Sequence, residues 1–270
     1  MSMVGGEIAA HYGRPTLMGE LEAALTAAGA EVDSRSPDVL AGFDEFHLGG
    51  RDATQALIDS LGLRNGGAVL DVGCGVGGAA RVIARTTGCS VVGIDLTPEF
   101  VEAARWLSAR VKMVEQTEFR VGSALGLPFE AGVFDAVTML HVGMNIADKQ
   151  ALMVELARML VPGGRLGIYD VMTTAPGDVA YPQPWSTTPN TSFLSSPDHY
   201  LEAITAAGLS VVSTHDRRPL VLESIAAIRE SPPVVDLGHL MGGDWPRMQG
   251  NLIRAFRAGI VSPVEIVAQS

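Results

Sequence analysis

The residues best able to do chemistry gather in one short string. In VLDVGCGVGG (Val69–Gly78) an apolar run gives way to Gly73, Gly75 and Gly78, spaced as G-x-G-x-x-G ahead of a helical pattern. Glycines there let the backbone come close to a ligand at the end of a strand. Dinucleotide-binding proteins share that spacing, so a nicotinamide-dependent oxidoreductase is one reading of it. Asp71 stands two residues before the first glycine, where a carboxylate suits a cationic amino group better than a pyrophosphate. Asp95 ends the next apolar run, 17 residues after Gly78, where its oxygens can accept from both hydroxyls of a ribose.

Three further side chains are candidates for acid–base or positioning work. His141 opens HVGMNIADK just beyond a strand-like run, His47 lies in FDEFHLGGRDAT, and Tyr12 belongs to an N-terminal helical pattern that could close over a site. Asn145 could bond a carboxylate or an amide, or cap the helix that follows it. The acidic pairs Asp44-Glu45 and Glu20-Glu22 read as solvated helix faces, and His199, His215 and His239 as solvated or packed side chains. With no H-x-x-x-H, no C-x-x-C and no close Asp/Glu set at ligand spacing, no resident metal is expected.

These residues need a scaffold, and its pattern is plain from about residue 68. Strand-like AVLDVG, SVVGID, TEFRVGSA, FDAVTMLHV and RLGIYDVM alternate with helical stretches. Thr97, Pro98 and Glu99 suit the start of one helix, Leu152, Leu156, Met159 and Leu160 share a face of another, and Gly208 suits the end of a third. LSVVSTHD and SPVEIVAQ complete a set of seven strands. The expected fold is α/β and doubly wound, with a mostly parallel sheet. Residues 1–60 form an expected helical cap and 61–270 the main domain. The Pro/Ser/Thr-rich stretch 175–195 is too long for a routine connection, and Tyr181, Trp185 and Phe193 mark it as a packed lid.

Composition removes several classes of function. The 270 residues are 47% hydrophobic and 18% charged, with 19 basic against 30 acidic side chains and a formal charge of −11. A surface of that sign repels phosphate backbones and anionic lipid, so neither nucleic acid nor membrane is an expected partner. Two cysteines, Cys74 and Cys89, cannot make a disulfide framework, and the sequence suggests a cytoplasmic protein.

LDVGCGVGG, GIDLTP, GSALGLPFEAGVFDAV and LVPGGRLGIYD, in that order and spacing, resemble the class I S-adenosylmethionine-dependent methyltransferases over residues 40–175. FHLGG, HVGMNI and the stretch after the fifth strand resemble, within them, the sarcosine/dimethylglycine N-methyltransferases and the tocopherol-type C-methyltransferases. The resemblance implies a Rossmann-like fold and S-adenosylmethionine as methyl donor, with S-adenosylhomocysteine as its product. Asp71, Gly73 and Gly75 would hold the methionine end, Asp95 the ribose, and Leu96, Ser123, Ala124 and Leu125 the adenine; His141 would line both cofactor and acceptor. Ser123 departs from the family, which commonly has Asp there. The acceptor would be a small molecule, with N-methylation of an amine or amino acid of sarcosine/betaine type foremost. C- or O-methylation of an indole, prenyl or keto-acid compound is the alternative, and a prenyl diphosphate could bring its own Mg²⁺. His141, His47 and Tyr12 are then the candidate catalytic residues. A homo-oligomer stays open.

Overall fold

The computed structural model describes residues 3–27, 40, 42–230, 238–241 and 243–270. Its centre is a seven-stranded sheet in the order β3-β2-β1-β4-β5-β7-β6, with β1 at Ala68–Val72, β2 at Ser90–Asp95, β3 at Thr117–Val121, β4 at Phe134–Leu140, β5 at Leu160–Thr173, β6 at Ser210–Asp216 and β7 at Val261–Gln269. Strands β1 to β5 run parallel, while β7 inserts antiparallel between β5 and β6. The chain order reverses beside β1, which pairs with β2 on one side and β4 on the other. In open α/β sheets ligands bind outside the carboxyl ends of the strands at such a switch point. That is where β1 delivers Gly73.

Side-chain alternation splits the core between the two faces of the sheet. Along β1, Val69 joins an apolar cluster with Val82 and Ile83 of α4 (Gly78–Thr87) and with Val101 and Leu107 of α5 (Pro98–Arg110). Leu70 and Val72 join the opposite cluster with Leu152, Met153 and Leu156 of α6 (Lys149–Met159) and Ile204 of α7 (Pro197–Ala206). Leu160, which the sequence placed on the face of α6, instead begins β5, and the helix ends at Met159. Gly208, at φ +84°, directly follows Ala207, the C-cap of α7.

Before the sheet lie α1 (Met3–Tyr12), α2 (Leu17–Ala27) and α3 (Gly50–Leu61). Leu17, Leu21 and Leu25 of α2 join the α4–α5 side of the core. α3 packs Ala53, Leu57 and Leu61 against Tyr169 and Val267 of the sheet. Beyond β6 come α8 (Arg218–Glu230), the short α9 (Gly238–Met241) and α10 (Trp245–Arg257). Between α8 and α10, residues 231–237 and 242 lie outside the described residues. No helix among the described residues is long and apolar enough to cross a membrane.

Candidate active site

Where β1 ends, the backbone turns sharply. The Gly73 and Cys74 N–H groups both donate to Ile94 O, at 2.7 and 3.0 Å, which ties the turn to the end of β2. Gly73 has φ +74°, and a Cβ there would stand 2.1 Å from Val142 Cγ2. Gly75 has φ +52° and lies under the Phe46 ring, 2.9 Å from where its Cβ would be. A side chain at either position would be both strained and blocked.

A cavity of about 440 Å³ opens on this turn. Gly73, Gly75, Asp95, Leu96, Ser123, Ala124, Leu125, His141, His47 and Tyr12 all line it, so the fold brings together residues scattered from position 12 to 141. Asp71 does not reach the lining. It is fully buried below the turn, where one oxygen accepts from Thr138 Oγ1 at 2.8 Å and the other, Oδ2, has no partner. Burial pushes its carboxyl up to about 7, against the pull of the Thr138 bond.

Asp95 is held rigidly. Its Oδ2 accepts the Gly75 N–H and its Oδ1 the Thr97 N–H, both at 2.9 Å. The Thr97 hydroxyl and the Leu96 N–H also face this carboxylate. Farther along, Ser123 Oγ accepts the Leu125 N–H at 3.2 Å, and Leu125 is half-exposed at the rim.

The two histidines differ in what they have left to offer. His47 Nε2 lies 2.9 Å from Gly50 O and 3.0 Å from Thr54 Oγ1, so its proton sits on that nitrogen and its hydrogen bonding serves the loop. Burial pushes its pKa down to about 4. His141 has φ +55° and gives its backbone N–H to Tyr169 O at 2.7 Å. Its ring stacks on Tyr169 and meets His47 edge-on at 6.0 Å, while its Nε2 has no hydrogen-bond partner. Burial, helped by His47, holds its pKa well below the usual imidazole range. Both rings are neutral at pH 7.

Tyr12 donates to Asn145 Oδ1 at 3.3 Å, and its ring leans on Phe100 at 5.8 Å. Asn145 Nδ2 in turn donates to Trp185 O and Thr191 O, at 2.7 and 3.1 Å. Asn145 therefore neither caps α6, which Asp148 does through the Ala151 N–H, nor faces a ligand with a free amide. It fastens α1 to the stretch after β5. His11 adds a second tie, with ring nitrogens 2.9 Å from Thr187 Oγ1 and 3.0 Å from Pro184 O.

The acidic pair Asp44-Glu45 corrects the sequence reading, which had it solvated. Both residues are buried: Asp44 pairs with Arg81 at 2.8 Å, and Glu45 with Arg51 at 3.2 Å and with Thr54. Arg81 lies 37 positions from Asp44, a separation at which spacing carries no signal. Phe46 follows directly and stacks on Phe100 at 5.3 Å above the glycine turn. That ring pair belongs, with Met144, Trp245 and Leu252, to the lining that sequence reasoning did not assign, whereas Trp185 and Phe193, which marked 175–195 as a packed lid, do line the cavity.

Residues 70–168 match the family described as a methyltransferase domain. The chain is 31% identical over 176 residues to the methyltransferase GfsG of Streptomyces halstedii, covering 64% of this chain and 63% of that protein. It is 40% identical over 98 residues to a chloroplastic tocopherol O-methyltransferase of Arabidopsis thaliana, covering 36% and 28%. Its matches thus span less than two thirds of either relative. Among solved structures, geranyl diphosphate C-methyltransferase of Streptomyces coelicolor A3(2) has the same fold, with a TM-score of 0.65, 23% identity and coverage of 80% of this chain and 79% of that one.

Proposed function

From the methyltransferase-domain match over residues 70–168, we propose that the chain is an S-adenosylmethionine-dependent methyltransferase that acts on a small-molecule metabolite. One observation carries the reading: a buried carboxylate with an unpartnered oxygen, on Asp71, lies just below the glycine turn. An uncompensated buried carboxylate is costly and calls for a cation. S-adenosylmethionine has an ammonium at its methionine end, whereas a dinucleotide would bring a pyrophosphate. The oxidoreductase reading loses on that charge.

In this reading Asp71, Gly73 and Gly75 hold the methionine end, and Asp95 binds the ribose hydroxyls. Leu96, Ala124 and Leu125 cover the adenine, and Ser123 Oγ accepts from its amino group. The bound cofactor supplies a methyl carbon on a sulfonium with a neutral leaving group. The protein's share is therefore chiefly alignment and exclusion of water. Tyr12, Trp185 and Phe193 supply the walls, and α1 with residues 175–195 serves as a cap over them. His141 faces the acceptor as a neutral imidazole, and His47 holds that ring from its edge.

Two acceptor classes follow from the sequence, an amine of sarcosine/betaine type and a carbon or oxygen nucleophile of a larger metabolite. The apolar lining favours the second. Methyl-labelled S-adenosylmethionine incubated with the protein and a metabolite extract separates them by partition. Label carried into organic solvent supports the apolar acceptor, and a new water-soluble cation supports the amine. Thermal protection by NAD but not by S-adenosylhomocysteine would overturn the methyltransferase reading itself.

A further inference from the structure

Helix α10 has two unlike faces. At about 3.6 residues per turn, Trp245 and Leu252 fall on one side, where both line the cavity, and Met248, Ala255 and Phe256 beside them are buried in the body. Arg247, Arg254 and Arg257 fall on the other side, and all three are exposed. Residues 245–264 hold these arginines and no acidic residue, in a chain whose acids outnumber its bases by 30 to 19. Elsewhere that excess supplies partners, as in Arg14–Glu20, Arg120–Glu118 and Arg158–Glu155. Among the described residues no carboxylate pairs with Arg247, Arg254 or Arg257, and Arg254 donates only to the neutral amide of Asn251.

The helix does not need this stripe for itself. Its dipole favours cations in the last turn, which accounts for Arg254 and Arg257 but opposes Arg247 in the first. Gly250 lies on the same face between Arg247 and Arg254, although glycine weakens a helix interior. Nothing inside the fold requires it, since a Cβ there would meet no atom within 4 Å. A bare position on an exposed helix lets the backbone of another molecule come close.

We propose that this face of α10 is a docking surface for a partner protein that presents an acidic helix. The three cations extend over ~15 Å of α10, a length that one helix lying alongside can match with carboxylates. A membrane or a nucleic acid is a broad anionic surface and would meet the acidic remainder of the chain together with the stripe. A second copy paired across a two-fold axis through this face would set arginine against arginine. An acidic helix covers the stripe alone. Seated there, the partner stands one helix away from the cavity, which Trp245 and Leu252 wall from the other side of α10.

The test uses the full chain and two ~20-residue alanine-based helical peptides of identical composition. One carries its glutamates along a single face, the other has them spread around the helix. Binding is followed by fluorescence anisotropy at low salt, where exposed charges are least screened. The aligned peptide is expected to bind at least ~5-fold more tightly than the scattered one. Arg247→Gln combined with Arg257→Gln leaves Arg254 on Asn251, and should abolish that advantage at an unchanged melting temperature. Gly250→Gln should raise the melting temperature or leave it as it is, yet weaken the aligned peptide by ~5-fold. Equal binding of the two peptides, or none by either, overturns the proposal, as does a Gly250→Gln chain that binds as well as the parent. Tighter binding to vesicles of equal phosphatidylserine and phosphatidylcholine, lost in the arginine double variant, would assign the stripe to a membrane instead. A dimer seen in sedimentation of the chain alone, and abolished in that variant, would assign it to a second copy.

Discussion

The imidazole of His141 lies parallel to the phenol ring of Tyr169, with centroids 5.4 Å apart and planes inclined by 4°. The same Tyr169 accepts the His141 backbone N–H through its carbonyl and donates its hydroxyl to Leu48 O at 2.6 Å. One residue of β5 therefore fixes both the candidate base and the loop that carries His47. Stacking and the carbonyl bond together hold a left-handed φ of +55° that a histidine rarely adopts.

His141→Gln keeps a polar side chain of similar reach but cannot take a proton. Turnover is expected to fall ~10²–10⁴-fold, the usual contribution of general-base catalysis. Affinity for S-adenosylhomocysteine should stay within about threefold, since the proposed reading sets His141 on the acceptor side of the cavity. Single-turnover kinetics and calorimetry read the two effects separately. A large loss of cofactor affinity with unchanged turnover would make His141 a cofactor residue only.

In the proposed reading, Asp71 makes cofactor binding depend on pH. Burial raises its carboxyl to about 7 in the free protein, and a cation beside it favours the ionised form and lowers that value. Binding should therefore expel a proton below and near pH 7, so affinity rises with pH through that range and levels off above it. Calorimetry in two buffers of different ionisation heat is expected to show proton release at pH 6.5 and almost none at pH 8.5. Asp71→Asn should lose this difference and bind more weakly at both values.

How far the sequence reached depends on how local each feature is. The proposed cofactor half comes from stretches contiguous in the chain: the glycine turn, Asp95 with its following helix, and Ser123 to Leu125. Strand period, glycine spacing and single carboxylates pick out the first two, while Ser123 to Leu125 rest on the family resemblance. The rest of the cavity lining, including Tyr12, Phe46, Asn145, Trp185 and Leu252, is brought together only by the packed fold. Asn145 shows the difficulty. Its local position suggested a helix cap, but its partners are 133, 40 and 46 residues away. Asp44 was misread for the same reason, since a carboxylate beside another carboxylate looks solvated until a buried arginine from α4 is set against it.

That buried pair sets a stability test. Arg81 Nη2 and Asp44 Oδ2 are 2.8 Å apart, with both side chains closed to solvent. Arg81→Met would leave Asp44 as an unpaired buried carboxylate, an expected loss of about 3–5 kcal/mol in urea unfolding. Asp44→Leu combined with Arg81→Met removes both charges and should recover most of that loss. A double variant as unstable as the single one would mean that the arginine's packing, not its charge, carries the effect.

Asp170 gives a pH test of the wall behind the acceptor end. It is fully buried, accepts from Tyr200 Oη at 2.7 Å, and has its carboxyl raised to about 6 by burial. Nearby Lys149 donates to Ile146 O at 2.5 Å and Phe193 O at 2.8 Å, and burial lowers its pKa to about 8. A carboxyl with a raised folded-state pKa favours folding while protonated, a contribution present below its unfolded value near 3.8 and lost as pH rises through about 6. Asn at this position can still accept from Tyr200 and cannot ionise. The melting temperature of Asp170→Asn relative to the parent is therefore expected to climb between pH 4 and pH 7. A difference that stays flat over that range would show that Lys149 compensates the ionised carboxylate in full.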